Sequence, residues 1–167
     1  KIFNSAYTAN CGLALAISSA TTYWIGDQLN HNSIIRAMRI AGVPSANKAI
    51  YPHNDMAALA RCLAAVPADM ERVVVIFDGI FSMRGDCAPV DQIVAIAGPC
   101  GGRFKEGVVT VMDDSHGIGA CGPRGRGRDL APVERHVASG AGQAVGGRQV
   151  HRVDRPQPVG RPQLDGV

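Results

Sequence analysis

The sequence predicts an α/β fold built on a mostly parallel sheet. Three observations carry that reading. Helix-like and strand-like segments alternate through residues 1–127, as they do when helices cover a sheet. Two apolar runs, Val73 to Phe77 and Val108 to Met112, show no polar alternation, the pattern of strands buried on both faces. Both runs lead into polar clusters, Asp78 to Asp86 and Asp113 to Gly122, and ligands of open parallel sheets sit beyond the carboxyl ends of strands.

Each element follows from its residues. Positions 9–17 are small or apolar throughout and read as a helix. TTYWI (21–25) is β-branched and aromatic, hence a short strand. Ser33 to Ile40 reads as a helix, opened near Asn32 or Ser33 and stopped by Gly42. Lys48 to Tyr51 is a short strand, and Asn54 or Asp55 then caps a helix running through Leu59 to Ala65. After the strand at 73–77, Pro89 fits the first turn of a helix ending near Ala97. The strand at 108–112 closes the series.

Composition narrows the function classes. The chain has 167 residues, 46% of them hydrophobic, which is one domain's worth with material for one core and excludes a wholly disordered chain. A net charge of +3 with 19% charged residues argues against a general electrostatic nucleic-acid binder. No apolar run approaches the roughly 18 residues that cross a bilayer. The opening KIFNSAYTAN lacks both an initiator Met and the basic-then-apolar order of a signal peptide. The expectation is a cytoplasmic protein with neither nucleic-acid nor membrane partners. The five cysteines are widely spaced with no C-x-x-C pair, so no metal site is expected, and the thiols are expected to be buried and reduced.

The composition breaks at residue 128. Residues 128–167 hold six Arg, six Gly, four Pro, four Gln and seven Val, without a Lys, Ile, Phe, Tyr, Trp, Met or Cys. This segment has little to bury and no helical or strand period. An Arg/Gly arm for RNA is the functional alternative, but four acids dilute it and no aromatics interleave. With Arg outnumbering Lys 14 to 3, the segment reads better as GC-rich coding DNA in a shifted frame or as an unrelated tail.

The strongest motif is VTVMDDSHGIGACGPRGRG (109–127). It places Asp113, Asp114 and His116 at a buried strand end, where a carboxylate can hold a cationic ring nitrogen strongly. The competing reading has the acids capping the next element and His116 as a loop residue. GIGACG (117–122) matches G-x-G-x-x-G, but DDSH separates it from the strand and Pro123 disrupts any helix, which weakens a dinucleotide-binding reading. FDGIFSMRGD (77–86) carries Ser82 outside any G-x-S-x-G elbow. A Ser82–His116–Asp113 hydrolase triad has no support in spacing, so Ser82 reads as one hydrogen bond to a ligand. His31 lies in a loop just before a helix, where an imidazole is ordinarily solvent-exposed.

In order, FNSAYTANCG (3–12), DQLNHNSII (27–35), HNDMAAL (53–59), FDGIFSMRGDCAPV (77–90) and VMDDSHGIGACGPRGRG (111–127) resemble the α-oxoamine synthases. These are pyridoxal-phosphate enzymes of the aminotransferase class I/II type (fold type I) that join an amino acid to an acyl-CoA and release CoA. Among their branches the motifs look nearest to glycine C-acetyltransferase, with 8-amino-7-oxononanoate synthase as the rival. The resemblance implies that residues 1–127 are part of the large, cofactor-binding domain. It also implies that His31 stacks on the pyridoxal ring and that Asp113 pairs with the ring nitrogen. His116 and Ser82 would serve the phenolic oxygen, and the amides of Ala6 and Tyr7 the phosphate. Catalytic roles would fall to His31, Asp113 and His116, in a homodimer.

The chain also departs from the family. The family's cofactor-bearing lysine lies a few dozen residues beyond the Asp-x-x-His motif. Here SGAGQAVGGRQVHRVD (139–154) has none, and the only lysines are Lys1, Lys48 and Lys105. Family chains are several hundred residues long, so a fragment without synthase activity of its own is expected. A non-catalytic remnant and a nucleotide-binding module using Gly117, Gly119 and Gly122 are the alternatives.

Overall fold

The computed structural model describes residues 2–125 and 127. The assignment of 128–167 as a separate tail lies outside them. Four parallel strands form one sheet in the order β2-β1-β3-β4: β1 Thr22–Asp27, β2 Lys48–Tyr51, β3 Arg72–Asp78 and β4 Val108–Asp113. The helices are α1 Ala6–Ile17, α2 Asn32–Ile40, α3 Met56–Ala64 and α4 Val90–Ala97. The expected α/β architecture with a parallel sheet is present.

Two apolar layers sandwich the sheet. Along β3, Val73, Val75 and Phe77 join Leu59, Leu63 and Ile93 of α3 and α4. Val74 and Ile76 point the other way, toward Ala14 of α1 and Ile34 and Ala37 of α2. Successive strand residues face opposite sides, so a strand covered twice must be apolar at every position. That is the origin of the unbroken run. β4 departs from the expectation: it is only partly buried, with Val109 38% exposed. It pairs with β3 alone among the described strands, which leaves one of its sides less covered.

Helix ends also moved. Ser5, not a residue near position 9, opens α1, its hydroxyl accepting the Thr8 N–H at 3.2 Å. His31 itself caps α2 through Nδ1, ahead of the expected Asn32 or Ser33. Asp55 caps α3 as expected, accepting the Ala58 N–H at 2.8 Å. Pro89 sits at the N-cap of α4, one position before its first turn. At the other end of α3, the Arg103 guanidinium donates to the carbonyls of Leu63, Ala64 and Val66, groups that a helix end leaves without partners. The thiols are free but none is fully buried, and Cys87 is exposed. Burial still pushes the Cys62 thiol up, against the nearby Arg61 charge. Among the described residues, no helix is long and apolar enough to cross a membrane.

Candidate active site

The parallel arrangement sends β1, β3 and β4 to the same edge of the sheet, where their last residues are acids: Asp27, Asp78 and Asp113. On the face covered by α1 and α2, Asp78 and Asp113 border a cavity of about 200 Å³, while Asp27 turns to the opposite face. Five of the expected residues line it: Ala6, Tyr7, His31, Asp113 and His116. Ser82 does not. It is exposed in the loop after β3 and stands outside the cavity lining, which removes any triad with His116 and Asp113. Ser33, Asp78 and Ser115 line the cavity unforeseen.

Asp113 is prepared to stay charged. Its Oδ2 accepts from Asn10 Nδ2 at 2.7 Å, and its Oδ1 accepts from the Ser115 N–H at 3.0 Å and from the Ser115 hydroxyl. Burial opposes ionisation, but the donors of Ser115 and Asn10 and the nearby His31 outweigh it, holding the carboxyl below its ordinary range. Asn10, 8% exposed on α1, gave no sign in an otherwise small and apolar helical stretch.

His31 is fixed from three directions. Its main-chain N–H donates to Asp78 Oδ2 at 2.8 Å. Its Nδ1 accepts the Ser33 N–H at 3.2 Å and lies 2.9 Å from Ser33 Oγ. The main-chain N–H aimed at Nδ1 fixes the ring's orientation at the start of α2. Ser33 Oγ in turn accepts from Asn10 Nδ2 at 3.0 Å. One chain of hydrogen bonds thus runs Asp113–Asn10–Ser33–His31–Asp78.

Opposite the acids, α1 presents its first turn. The N–H groups of Ala6 and Tyr7 have no preceding helical turn to bond, and the helix dipole there favours an anion. Unlike a dinucleotide-binding loop, the GIGACG loop does not open an α-helix among the described residues. A Cβ at Gly117 would collide with the Asp114 carboxyl, and the loop leads into a 3₁₀ turn at Pro123–Gly125.

A second polar group lies on the other face. His53 Nδ1 is 3.0 Å from Asp27 Oδ1, and its Nε2 is 3.0 Å from Asp86 Oδ2. Asp27 also accepts the main-chain N–H groups of Leu29 and Asn54. Burial lowers the His53 pKa, but the hydrogen bonds and charges of Asp86 and Asp27 outweigh it and leave it raised. These contacts pin together the loops that follow β1, β2 and β3.

Residues 2–146 match the family model of the class I and II aminotransferases, and the chain belongs to that family. The match runs past the composition break at residue 128. The family is pyridoxal-phosphate dependent, and the described fold is part of the fold type I large domain. Among curated relatives, the 8-amino-7-oxononanoate synthase of Burkholderia ambifaria is 41% identical over 133 residues, covering 80% of this chain and 26% of that protein. The protein of the same name from Mycolicibacterium gilvum is 38% identical over 126 residues, 75% of this chain and 30% of its own. The serine palmitoyltransferase of Sphingomonas wittichii superposes with a TM-score of 0.65 at 29% identity, over 76% of this chain and 29% of that one. The chain therefore spans about a quarter to a third of the length of these proteins. Both curated relatives carry the name of the rival branch, 8-amino-7-oxononanoate synthase, and not that of glycine C-acetyltransferase.

The cavity fits pyridoxal phosphate by its own chemistry. It offers a charged carboxylate for a pyridinium nitrogen, free helix N–H groups for a phosphate, and a buried Asp78 oxygen, Oδ1, without a hydrogen-bond partner.

Proposed function

We propose that this chain carries part of the cofactor cradle of a pyridoxal-phosphate acyltransferase of the 8-amino-7-oxononanoate synthase type. Such an enzyme joins an amino acid to an acyl-CoA with release of CoA, as a soluble, cytoplasmic homodimer. The observation that supports the reading is the convergence of Asp113, His31 and the first turn of α1 on one cavity. In it, Asp113 would take the ring nitrogen, the His31 imidazole would cover the ring face, and the amides of Ala6 and Tyr7 would take the phosphate. His116 would lie at the ring's polar edge. Ser82 keeps its proposed role at the phenolic oxygen only if the loop after β3 turns toward the cavity. The cofactor supplies an electron sink that stabilises negative charge at the substrate carbon, and a charged Asp113 keeps that sink effective by holding the ring proton in place.

Lys48 opens β2 and Lys105 pairs with Glu71 at 2.9 Å; neither lines the cavity. The role of the family's lysine is thus unassigned on the described residues.

The test is binding. The 167-residue chain should bind 4′-deoxypyridoxine 5′-phosphate, which has the ring nitrogen and phosphate but no aldehyde, and Asp113→Ala should abolish binding. Equal binding by the two proteins would remove the reading, and tight binding of NAD instead would favour a nucleotide module.

A further inference from the structure

Asp78 has a bare oxygen at the cavity and a contact with the His31 main chain but no assigned role, and it is the most buried ionisable group there, 4% exposed. Its own N–H donates to Asn30 Oδ1 at 3.2 Å, and its Oδ2 accepts from His31. Its Oδ1 is buried without a hydrogen-bond partner. Asp113 stands directly beside it in register on β4. Two neighbouring carboxylates in a site of low dielectric are not both ionised at little cost. Asp113 has donors on both oxygens and keeps the charge. Asp78, with one oxygen bare, keeps a proton more readily. Burial, opposed by the His31 N–H and reinforced by the Asp113 charge, raises its carboxyl to about 6. The other ionisable groups facing it are His31 at the start of α2 and His116 after β4, with Tyr7 of α1 lining the same cavity. Asp27 of β1 engages His53 instead.

Resting on the cofactor reading above, we propose that Asp78 is a second binding carboxyl of the cavity: in mildly acidic solution it holds a proton on Oδ1 in the ligand-free protein and releases it to solvent when a ring with a cationic N–H seats beside Asp113. The Asp78 O–H bond breaks, the proton passes to water or buffer, and the carboxylate left behind shares the ring's positive charge with Asp113. Binding of such a ring is therefore linked to pH through a residue other than its direct partner.

The experiment measures the affinity of the full chain for 4′-deoxypyridoxine 5′-phosphate by equilibrium dialysis from pH 5 to 8, for the wild type, Asp78→Asn and Asp113→Asn. The probe's phosphate titrates identically with every protein, so the ratio of wild-type to Asp78→Asn affinity is the readout. It is expected to rise roughly tenfold between pH 5 and pH 7. Asn at position 78 still offers an oxygen to the His31 N–H, so a purely structural role gives a ratio that does not change with pH, and that result overturns the proposal. Asp78→Ser, a second variant that does not titrate, must follow the Asn profile, and it replaces Asp78→Asn if the latter does not fold. If the wild type binds no probe, or Asp113→Asn binds as well as the wild type, the cofactor reading fails and takes this proposal with it. If Asp113 matters and the ratio is flat, the proposal alone fails.

Discussion

Asn10 of α1 and Asp113 of β4 meet at 2.7 Å across 103 positions of sequence. The amide nitrogen that steadies the carboxylate also reaches Ser33, so the charge of Asp113 and the orientation of the His31 ring depend on one side chain. Asn10→Ala should destabilise the protein by about 1–2 kcal/mol, the cost of leaving buried groups without a donor. It should also let the Asp113 carboxyl rise toward its ordinary value. Urea unfolding and an NMR titration of the Asp113 carboxyl carbon check the two effects separately. An unchanged titration would mean that Ser115 alone sets the charge.

Asp113→Asn retains shape and removes charge. Loss of a charge-assisted pair with a ring nitrogen should weaken 4′-deoxypyridoxine 5′-phosphate binding by about 2–3 kcal/mol, on the order of 30- to 160-fold at pH 7.5. Folding stability should change much less than affinity. Equilibrium dialysis beside a thermal melt distinguishes the two.

His53 links the loops at the far face, and its effect on stability depends on pH. Its pKa in the fold is raised above the unfolded value near 6.5. The protonated ring therefore stabilises the fold fully below about 6.5, and that contribution is lost as pH rises through the folded value. His53→Gln should lower stability by about 2 kcal/mol near pH 5.5, and the gap should narrow toward pH 8.5. Urea midpoints at the two pH values test this, and a gap that widened with pH would contradict the assigned charge state.

Much of this architecture was legible because helix periodicity and doubly buried strands leave strong patterns. Val73 to Phe77 announced β3 because both its faces are covered. β4 looked the same in sequence but lies at the edge of the described sheet, a fact that no local pattern encodes. Of the site, the residues to which the family resemblance assigns a role, Ala6, Tyr7, His31, Asp113 and His116, all reach the cavity. Asn10 and Ser33 were missed because their importance lies in partners 103 and 23 positions away. Asp78 stands out in the sequence only as part of a polar cluster. Ser82 has its expected role from the family resemblance, and the turn after β3 carries it into solvent.

Packing should follow burial. Leu59 is fully buried between α3 and the sheet, whereas Leu15 of α1 is 58% exposed. Leu59→Ala should cost about 2–5 kcal/mol through the lost burial and the cavity left behind. Leu15→Ala should stay within about 0.5 kcal/mol. Denaturant midpoints for the pair calibrate the stability of the described domain.

No release of CoA is expected when the chain is given an amino acid and an acyl-CoA. Its only lysines are Lys1, Lys48 and Lys105, and neither Lys48 nor Lys105 lines the cavity. A thiol-reactive dye follows free CoA directly, and steady turnover would show that another group does the work expected of the family's lysine.

Every pairing in the sheet is parallel, β1 with β2 and β3, and β3 with β4. No neighbouring strands can therefore form as a hairpin, and each contact waits for a crossover to be ordered first. Such a chain has few local shortcuts, so it should assemble slowly, in the range of milliseconds to seconds or longer. Asp78 and Asp113 stand side by side only once β3 and β4 have paired, so a molecule that fits the cavity should capture chains in which that pairing is complete and ignore those in which it is not.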